Sequence, residues 1–244
     1  MIINKNINRS IGQAMHTYEM LANGDKVMIA VSGGIDSLVL TWILDNWRRK
    51  APIDYQILAV HLDMGFGDQE SQLVEQQLHR LKIPYLIEQT DFGKKAMLAE
   101  DGKSGCFHCA RQRRKRLFDL AAEKGFSKIA LGHHKEDIIE TFFINLMYGG
   151  NLSTMVPKQI LFAGKLALIR PLAFLEKKQI RSLGEELGVT AVANPCPLSE
   201  KCQRAKTRAL LESIYQKDPA IKSTIFTSLG NVKPDYLLTG TNRT

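Results

Sequence analysis

The chain has 244 residues, which one large domain accommodates, because single cores stop growing near about 250–300 residues. Hydrophobic residues make up 44% and charged residues 24%, the balance of an ordinary globular protein, and no apolar run approaches the ~20 residues that cross a bilayer. The net charge of +8 favours a polyanionic partner.

Residues 1–24 are read as an N-terminal helical segment, and residues 1–6 lack the apolar stretch and small-residue cleavage site of a secretory signal, so a cytoplasmic protein is expected. A β-branched run over 27–31 predicts a strand, followed by Ser32-Gly33-Gly34-Ile35-Asp36-Ser37 and then a helix over 36–46. Strands are expected again at 56–61, 85–88 and 128–131, with helical periodicity at 68–81 and 110–124 between them. This alternation predicts an α/β fold built on a doubly wound parallel sheet, whose ligands sit at the carboxyl ends of the strands. Beyond Gly149-Gly150 the pattern changes: 159–163 and 165–169, joined through Gly164, read as a hairpin or an irregular edge strand. Helices follow at 176–187, 202–216 and 221–229, and the tail 239–244 is expected to fray.

Chemistry is expected at three strand ends. After the first strand the paired glycines let backbone N–H groups approach a phosphate, the serines add hydroxyl donors, and the helix N-terminus adds a favourable dipole. The turn lacks the lysine of a G-x-x-x-x-G-K-[ST] loop, so it suits an ATP cleaved between its α- and β-phosphates. The second strand ends in His61-Leu62-Asp63-Met64-Gly65 and the fourth in Gly132-His133-His134-Lys135-Glu136-Asp137.

Of the four cysteines, Cys106 and Cys109 form a C-x-x-C pair beside Arg111, Arg113, Arg114, Lys115 and Arg116. Cationic neighbours and a helix N-terminus favour thiolates. A second basic group, Lys201, Arg204, Lys206 and Arg208, opens the segment after Cys196 and takes in Cys202. In a cytosolic chain such cysteines point to metal or redox chemistry, and spacing alone leaves structural zinc and an iron–sulfur cluster both open. The basic groups read either as solvated helix faces or as a polyanion-binding surface.

The segment Ser32-Gly33-Gly34-Ile35-Asp36-Ser37 resembles the PP-loop of the ATP-pyrophosphatases. Taken with Cys106-Phe107-His108-Cys109, Leu131-Gly132-His133-His134, Asn145-Leu146-Met147-Tyr148-Gly149-Gly150, Ile169-Arg170-Pro171-Leu172 and Asn194-Pro195-Cys196-Pro197, it makes the chain similar to the TtcA-type tRNA thiolases from about residue 25 to 234. That resemblance implies a PP-loop domain over 25–175, a C-terminal helical extension over 176–244 that completes the cluster site, and thiolation of a pyrimidine C2 in tRNA, most simply cytidine. It implies ATP, Mg2+ and a [4Fe–4S] cluster as cofactors, a sulfur donor (a cysteine desulfurase or free sulfide), no membrane, and a homodimer as one arrangement.

Carried over by residue, the cluster ligands become Cys106, Cys109 and Cys196. Cys202 departs from the three-cysteine pattern, and so does Glu136, which stands where the family repeats aspartate. Ala30, Ser32, Gly33, Gly34, Asp36 and Ser37 form the expected nucleotide cradle. His61 and Asp63 are expected beside adenosine, with strand-end capping as the plain alternative. Gly132 is expected to allow close approach to ATP, and His133 to contact phosphate or base. The expected catalytic groups are Asp36, Arg113 and Asp137, where Asp137 works on magnesium or protons unless it only caps a helix. Arg114 and Arg170 join Arg113 in neutralising phosphate.

Overall fold

The fold comes from a computed structural model that describes residues 3–98, 105–193, 195–197 and 203–238. Lys103, Asn194, Lys201, Cys202 and the tail from 239 lie outside the described residues. Six strands form one sheet: β1 Asp25–Ala30, β2 Tyr55–Asp63, β3 Tyr85–Gln89, β4 Lys128–Ala130, β5 Lys158–Leu161 and β6 Leu166–Ile169. Their order is β3-β2-β1-β4-β6-β5, parallel throughout except for the edge strand β5. The chain runs outward from β1 through β2 and β3, then restarts at β4 on the other side. The strand order therefore reverses between β1 and β4, and α/β sheets bind ligands in the crevice at such a reversal.

The helices are α1 Lys5–Thr17, α2 Ile35–Arg48, α3 Asp68–Arg80, α4 Phe92–Met97, α5 Gly105–Glu123, α6 Lys135–Tyr148, α7 Lys177–Glu186, α8 Gln203–Lys217 and α9 Ala220–Ser228. Among the described residues no helix is long and apolar enough to cross a membrane. Strand β1 is buried on both sides. Val27 and Ile29 join a core with α1, α2, α3 and α7, while Met28 joins Leu117, Leu120 and Ala121 of α5. Two-sided burial makes the central strand an unbroken apolar run in sequence. In α1 the buried residues Ile7, Ile11, Ala14 and Met15 form one helical stripe, and the Asn4 side chain caps the helix by accepting from Asn6 N at 2.9 Å.

The 159–163 and 165–169 runs form an antiparallel hairpin at the sheet edge, turned at Phe162–Gly164 with φ of 51° at both Phe162 and Ala163. Phe162 packs edge-on against Phe118 of α5. Helix α4 has no counterpart in the sequence reading, and α6 enters it only as the helix that Asp137 would cap. Helix α4 is only six residues long and contains Gly93. Helix α6 lacks an apolar stripe, because its buried side includes Glu136 and Glu140 beside Ile138 and Ile139.

Helix α7 packs across the start of α2. A Cβ on Gly184 would lie 2.5 Å from Ile35 Cδ1, so only glycine lets the two helices approach this closely. That contact brings the N-terminal end of α7 to the turn after β1. Gly184→Val is expected to destabilise the chain by about 1–3 kcal/mol through overpacking, read from urea unfolding. Trimming Ile35 to alanine in the same chain should remove part of that cost, because the two changes share one contact.

A candidate nucleotide and thiolate site at the strand ends

The turn between β1 and α2 owes its shape to one glycine and two hydroxyls. Gly33 has φ of +81°, and a Cβ there would stand 2.9 Å from Val74 Cγ2, so this position requires glycine. Gly34, the residue preceding α2, has φ of −66°, and an added Cβ would meet only Ser32 Oγ at 3.5 Å. Ser37 Oγ donates to Gly34 O at 2.8 Å and accepts from Ser32 N at 3.1 Å, which ties the turn across the first helical turn. Ala30 ends β1 just ahead of it. Asp36 accepts from Lys177 Nζ through Oδ2, while its Oδ1 is buried with no hydrogen-bond partner.

Across the crevice, Gly132 follows β4. A Cβ on it would come within 3.0 Å of the Asp36 carbonyl carbon and Ser37 N, so the backbone of α2 occupies the space that glycine leaves. The close approach serves the packing of the phosphate turn. His134 precedes α6, and Asp137 Oδ2 caps the helix by accepting from His134 N at 3.0 Å. Asp137 Oδ1 accepts from Arg204 Nη1 at 3.2 Å. Burial alone would raise the Asp137 pKa, but His134, His133 and Arg204 outweigh it and hold the carboxyl below the usual range. Glu136 behaves the same way: against burial, hydrogen bonds from His134 Nδ1 at 3.0 Å and Lys222 Nζ at 2.9 Å hold it down to about 2.

His133 accepts at Nδ1 from Arg170 Nε at 3.3 Å, which leaves its proton on Nε2. Burial pushes its pKa down to about 4; Asp137 opposes the shift, and Arg170, Arg204 and Arg113 reinforce it. The side chain is therefore neutral at physiological pH. Arg170 is only 4% exposed, donates to Val156 O at 2.5 Å, and has its own pKa pushed down to about 10 by burial and by Arg114. A guanidinium held by a carbonyl and a neutral ring keeps its full charge available to an anion.

At the end of β2, His61 is buried with Nδ1 2.9 Å from Val31 O, and Nε2 is buried without a partner. Burial lowers its pKa, which favours a neutral ring donating from Nδ1. Asp63 accepts from Gly65 N at 2.7 Å and Ser71 Oγ at 2.5 Å, so both of its oxygens shape the turn after β2.

Cys106 and Cys109 lie on the first turn of α5, where a spacing of three puts them on one face. Burial raises the Cys109 pKa, Arg113 lowers it, and Cys196 and Cys106 raise it, so the three thiols lie within electrostatic reach of one another. Arg113 acts electrostatically on both Cys109 and His133. Among the described residues no group of three or more His, Cys, Asp or Glu side chains is arranged to hold a single metal ion. Cys202 cannot be placed, because it lies outside the described residues. The second basic group is largely committed within the chain. Arg204 pairs with Asp137, and Arg208 donates to both oxygens of Glu140 at 2.7 and 3.1 Å, which leaves Lys206 exposed.

A PP-loop domain model matches residues 3–214. The chain is 34% identical to a tRNA-cytidine(32) 2-sulfurtransferase of Geobacter sulfurreducens, over 96% of this chain and 92% of that one. It is 38% identical to the Acinetobacter baumannii protein of the same name, over 96% and 78%. The chain belongs to the TtcA-type family of PP-loop tRNA thiolases, and by that membership it is an enzyme, a sulfurtransferase. Its fold is similar to that of the U34-tRNA thiolase NcsA of Methanococcus maripaludis, solved with its [4Fe-4S] cluster, at a TM-score of 0.74 and 22% identity over 92% of this chain and 78% of that one. The NH3-dependent NAD synthetase of Campylobacter jejuni shares the fold more loosely, with a TM-score of 0.51 at 15% identity over 100% and 98%.

Sequence reasoning missed Lys177, Glu136 as a charge centre, and Arg204 as a partner of Asp137. No local pattern ties Lys177 to a residue 141 positions away.

The folded pKa of His133, about 4, lies below its ordinary 6.5, so between those values the unfolded chain binds a proton that the folded chain excludes. Stability is therefore expected to fall as pH drops from 6.5 toward 4, with buried His61 acting in the same direction. Urea unfolding at intervals across this window should show that slope, and His133→Asn should flatten it.

Proposed function

We propose that this chain is an ATP-dependent tRNA thiolase that replaces the C2 oxygen of a cytidine by sulfur. The observation that supports the reading is the packing of Gly132, just after β4, against the backbone of Asp36 and Ser37, which sets the His133–Arg170 pair beside the phosphate turn, while Arg113 acts electrostatically on both His133 and Cys109. Similarity to cytidine thiolases over 96% of the chain supports the choice of base.

The turn Ser32–Ser37 binds the β- and γ-phosphates of ATP through its N–H groups and hydroxyls. Attack of the cytidine C2 oxygen on the α-phosphorus breaks the bond to pyrophosphate and leaves the base adenylated at that oxygen. Arg170, with Arg113 and Arg114 nearby, stabilises the charge that develops on the α-phosphate. His133 is neutral and carries its proton on Nε2, so it donates to a phosphate or a base without adding charge. Asp137 is held ionised, which suits it to a divalent cation such as Mg2+ and not to general-acid work. Sulfur from a donor then replaces the activated oxygen, and AMP departs. The target nucleotide must be unstacked to reach such a crevice.

Cys106, Cys109 and Cys196, whose thiols influence one another electrostatically, would hold a [4Fe–4S] cluster through their thiolates. Such a cluster supplies an iron without a protein ligand that can carry the sulfur.

Incubation with ATP and tRNA is expected to yield AMP and pyrophosphate together with 2-thiocytidine, read by nucleoside mass spectrometry. ADP with free phosphate would overturn the adenylation chemistry, and 2-thiouridine would move the substrate to uridine. Chains prepared without oxygen should contain close to four irons, and alanine at Cys106, Cys109 or Cys196 should lose them, whereas one tight zinc with no labile sulfide would remove the cluster from the mechanism.

A second expectation concerns tRNA. Reversing the exposed Arg111 and Arg114 to glutamate should weaken tRNA binding and flatten its salt dependence, since each phosphate neutralised contributes about 0.7–0.9 to the log–log slope. Unchanged binding and slope in a filter-binding titration would reduce that helix face to solvated surface.

A further inference from the structure

Helix α5 carries two stripes side by side. Residues 106, 109 and 113 stand at helical spacing on one face, which bears the paired thiols and Arg113. Residues 107, 111 and 114, four and three apart, share the adjoining face, and there Phe107, Arg111 and Arg114 are all exposed. Phe107 is 48% exposed while its ring packs edge-on against His108, with centroids 5.5 Å apart at 89°. A lone exposed phenylalanine is ordinary on a protein surface. This one stands one residue from a thiol, at the head of a row of guanidinium groups. The cations of α5 also divide into two kinds. Lys115 pairs with Asp119, and Arg116 with Glu88 and Glu123, whereas among the described residues Arg111 and Arg114 have no carboxylate partner. Arg114 is also within electrostatic reach of Arg170.

We propose that Phe107 is a stacking platform for an unpaired base that flanks the target nucleotide, with Arg111 and Arg114 holding the phosphates of the same strand. The inference rests on the RNA-thiolating reading above and gives that substrate a point of attachment. Single-stranded nucleic acid is held by cations that track the backbone together with aromatic rings that take the bases, and one face of α5 supplies both. Uncommitted guanidinium groups beside the ring match a polyanion. Because Phe107 lies on the face next to the thiols and not on theirs, the base it takes is a neighbour of the one that reacts. Stacking that neighbour draws the loop open, which leaves the target base unstacked and free to turn inward.

The test is binding of an end-labelled RNA stem-loop with an unpaired loop cytidine to the full chain, prepared without oxygen and followed by fluorescence anisotropy. Phe107→Ala should weaken binding by about five- to a hundredfold, the range for losing one stacked base, with the salt dependence unchanged because no phosphate contact is lost. Phe107→Tyr should restore the affinity and Phe107→Leu should not, since leucine keeps the apolar bulk without a ring face. An RNA lacking the base on one side of the cytidine should bind wild type and Phe107→Ala alike, whereas an RNA lacking the cytosine itself should still tell them apart. Equal affinity of wild type and Phe107→Ala for the intact RNA overturns the proposal, and slower thiolation at that equal affinity would hand the ring to a protein sulfur donor. Leucine binding as well as tyrosine overturns it too, as does a difference that vanishes only when the target cytosine is removed. Thermal melting and iron content check each variant. If alanine disturbs either, the tyrosine and leucine variants decide, because both keep a large side chain at that position. A wild type that binds no RNA sinks the RNA-thiolating reading together with the proposal, whereas thiolation by a wild type that Phe107→Ala matches in affinity sinks the stacking alone.

Discussion

The site depends on how closely the first turn of α2 can be approached from three sides. Val74 of α3 stands beside Gly33, the α2 backbone lies against Gly132 after β4, and Ile35 lies against Gly184 of α7. Each contact is one that a Cβ would push apart. Core packing near crystal density leaves no slack to absorb such a shift, so the position of the phosphate turn is set by its neighbours as much as by its own sequence. The same tight seat explains how α7, far along the chain, comes to touch Asp36.

A second constraint is electrostatic. Helix α6 carries Glu136, Asp137 and Glu140 on its packed side, and an uncompensated buried carboxylate is costly. The compensation comes from Arg204 and Arg208 of α8, Lys222 of α9 and His134 at the start of α6 itself. Lys222 also lies over the Tyr215 ring at 5.1 Å, and Lys135 over Phe226 at 5.3 Å, so charge and apolar packing fix the same helices. These contacts hold the loop after β4, and with it His133, in the crevice. Arg204 and Arg208 are spent on this work, which is why the basic character of the segment 201–208 says less about tRNA than its composition suggests.

The alternation of strands and helices was legible because each central strand is apolar on both faces and each following turn is polar and glycine-bearing. The Ser32–Ser37 turn was legible for the same local reason. What stayed hidden depends on distance along the chain. Nothing near Asp36 announces Lys177, nothing near Glu140 announces Arg208, and a helix that buries acids shows no apolar stripe to mark it, so the extent of α6 was not legible. Between Gly33 and Gly34 the letters alone could not say which one the backbone demands; φ of +81° at Gly33 decides it. For Asp63, hydrogen bonds to Gly65 and Ser71 give it a role in shaping its own turn, one that residue type does not distinguish from ligand contact.

The order in which the chain is made gives those long-range ion pairs a further meaning. Asp137 precedes its partner Arg204 by 67 residues, Glu140 precedes Arg208 by 68, and Glu136 precedes Lys222 by 86. At roughly 5–20 residues per second on the ribosome, the acidic side of α6 waits several seconds for its cations. During that interval those carboxylates must stay hydrated, so α6 cannot take its final seat. The central strands and the phosphate turn are free to form during translation, while the crevice acquires its second wall only when the last two helices arrive.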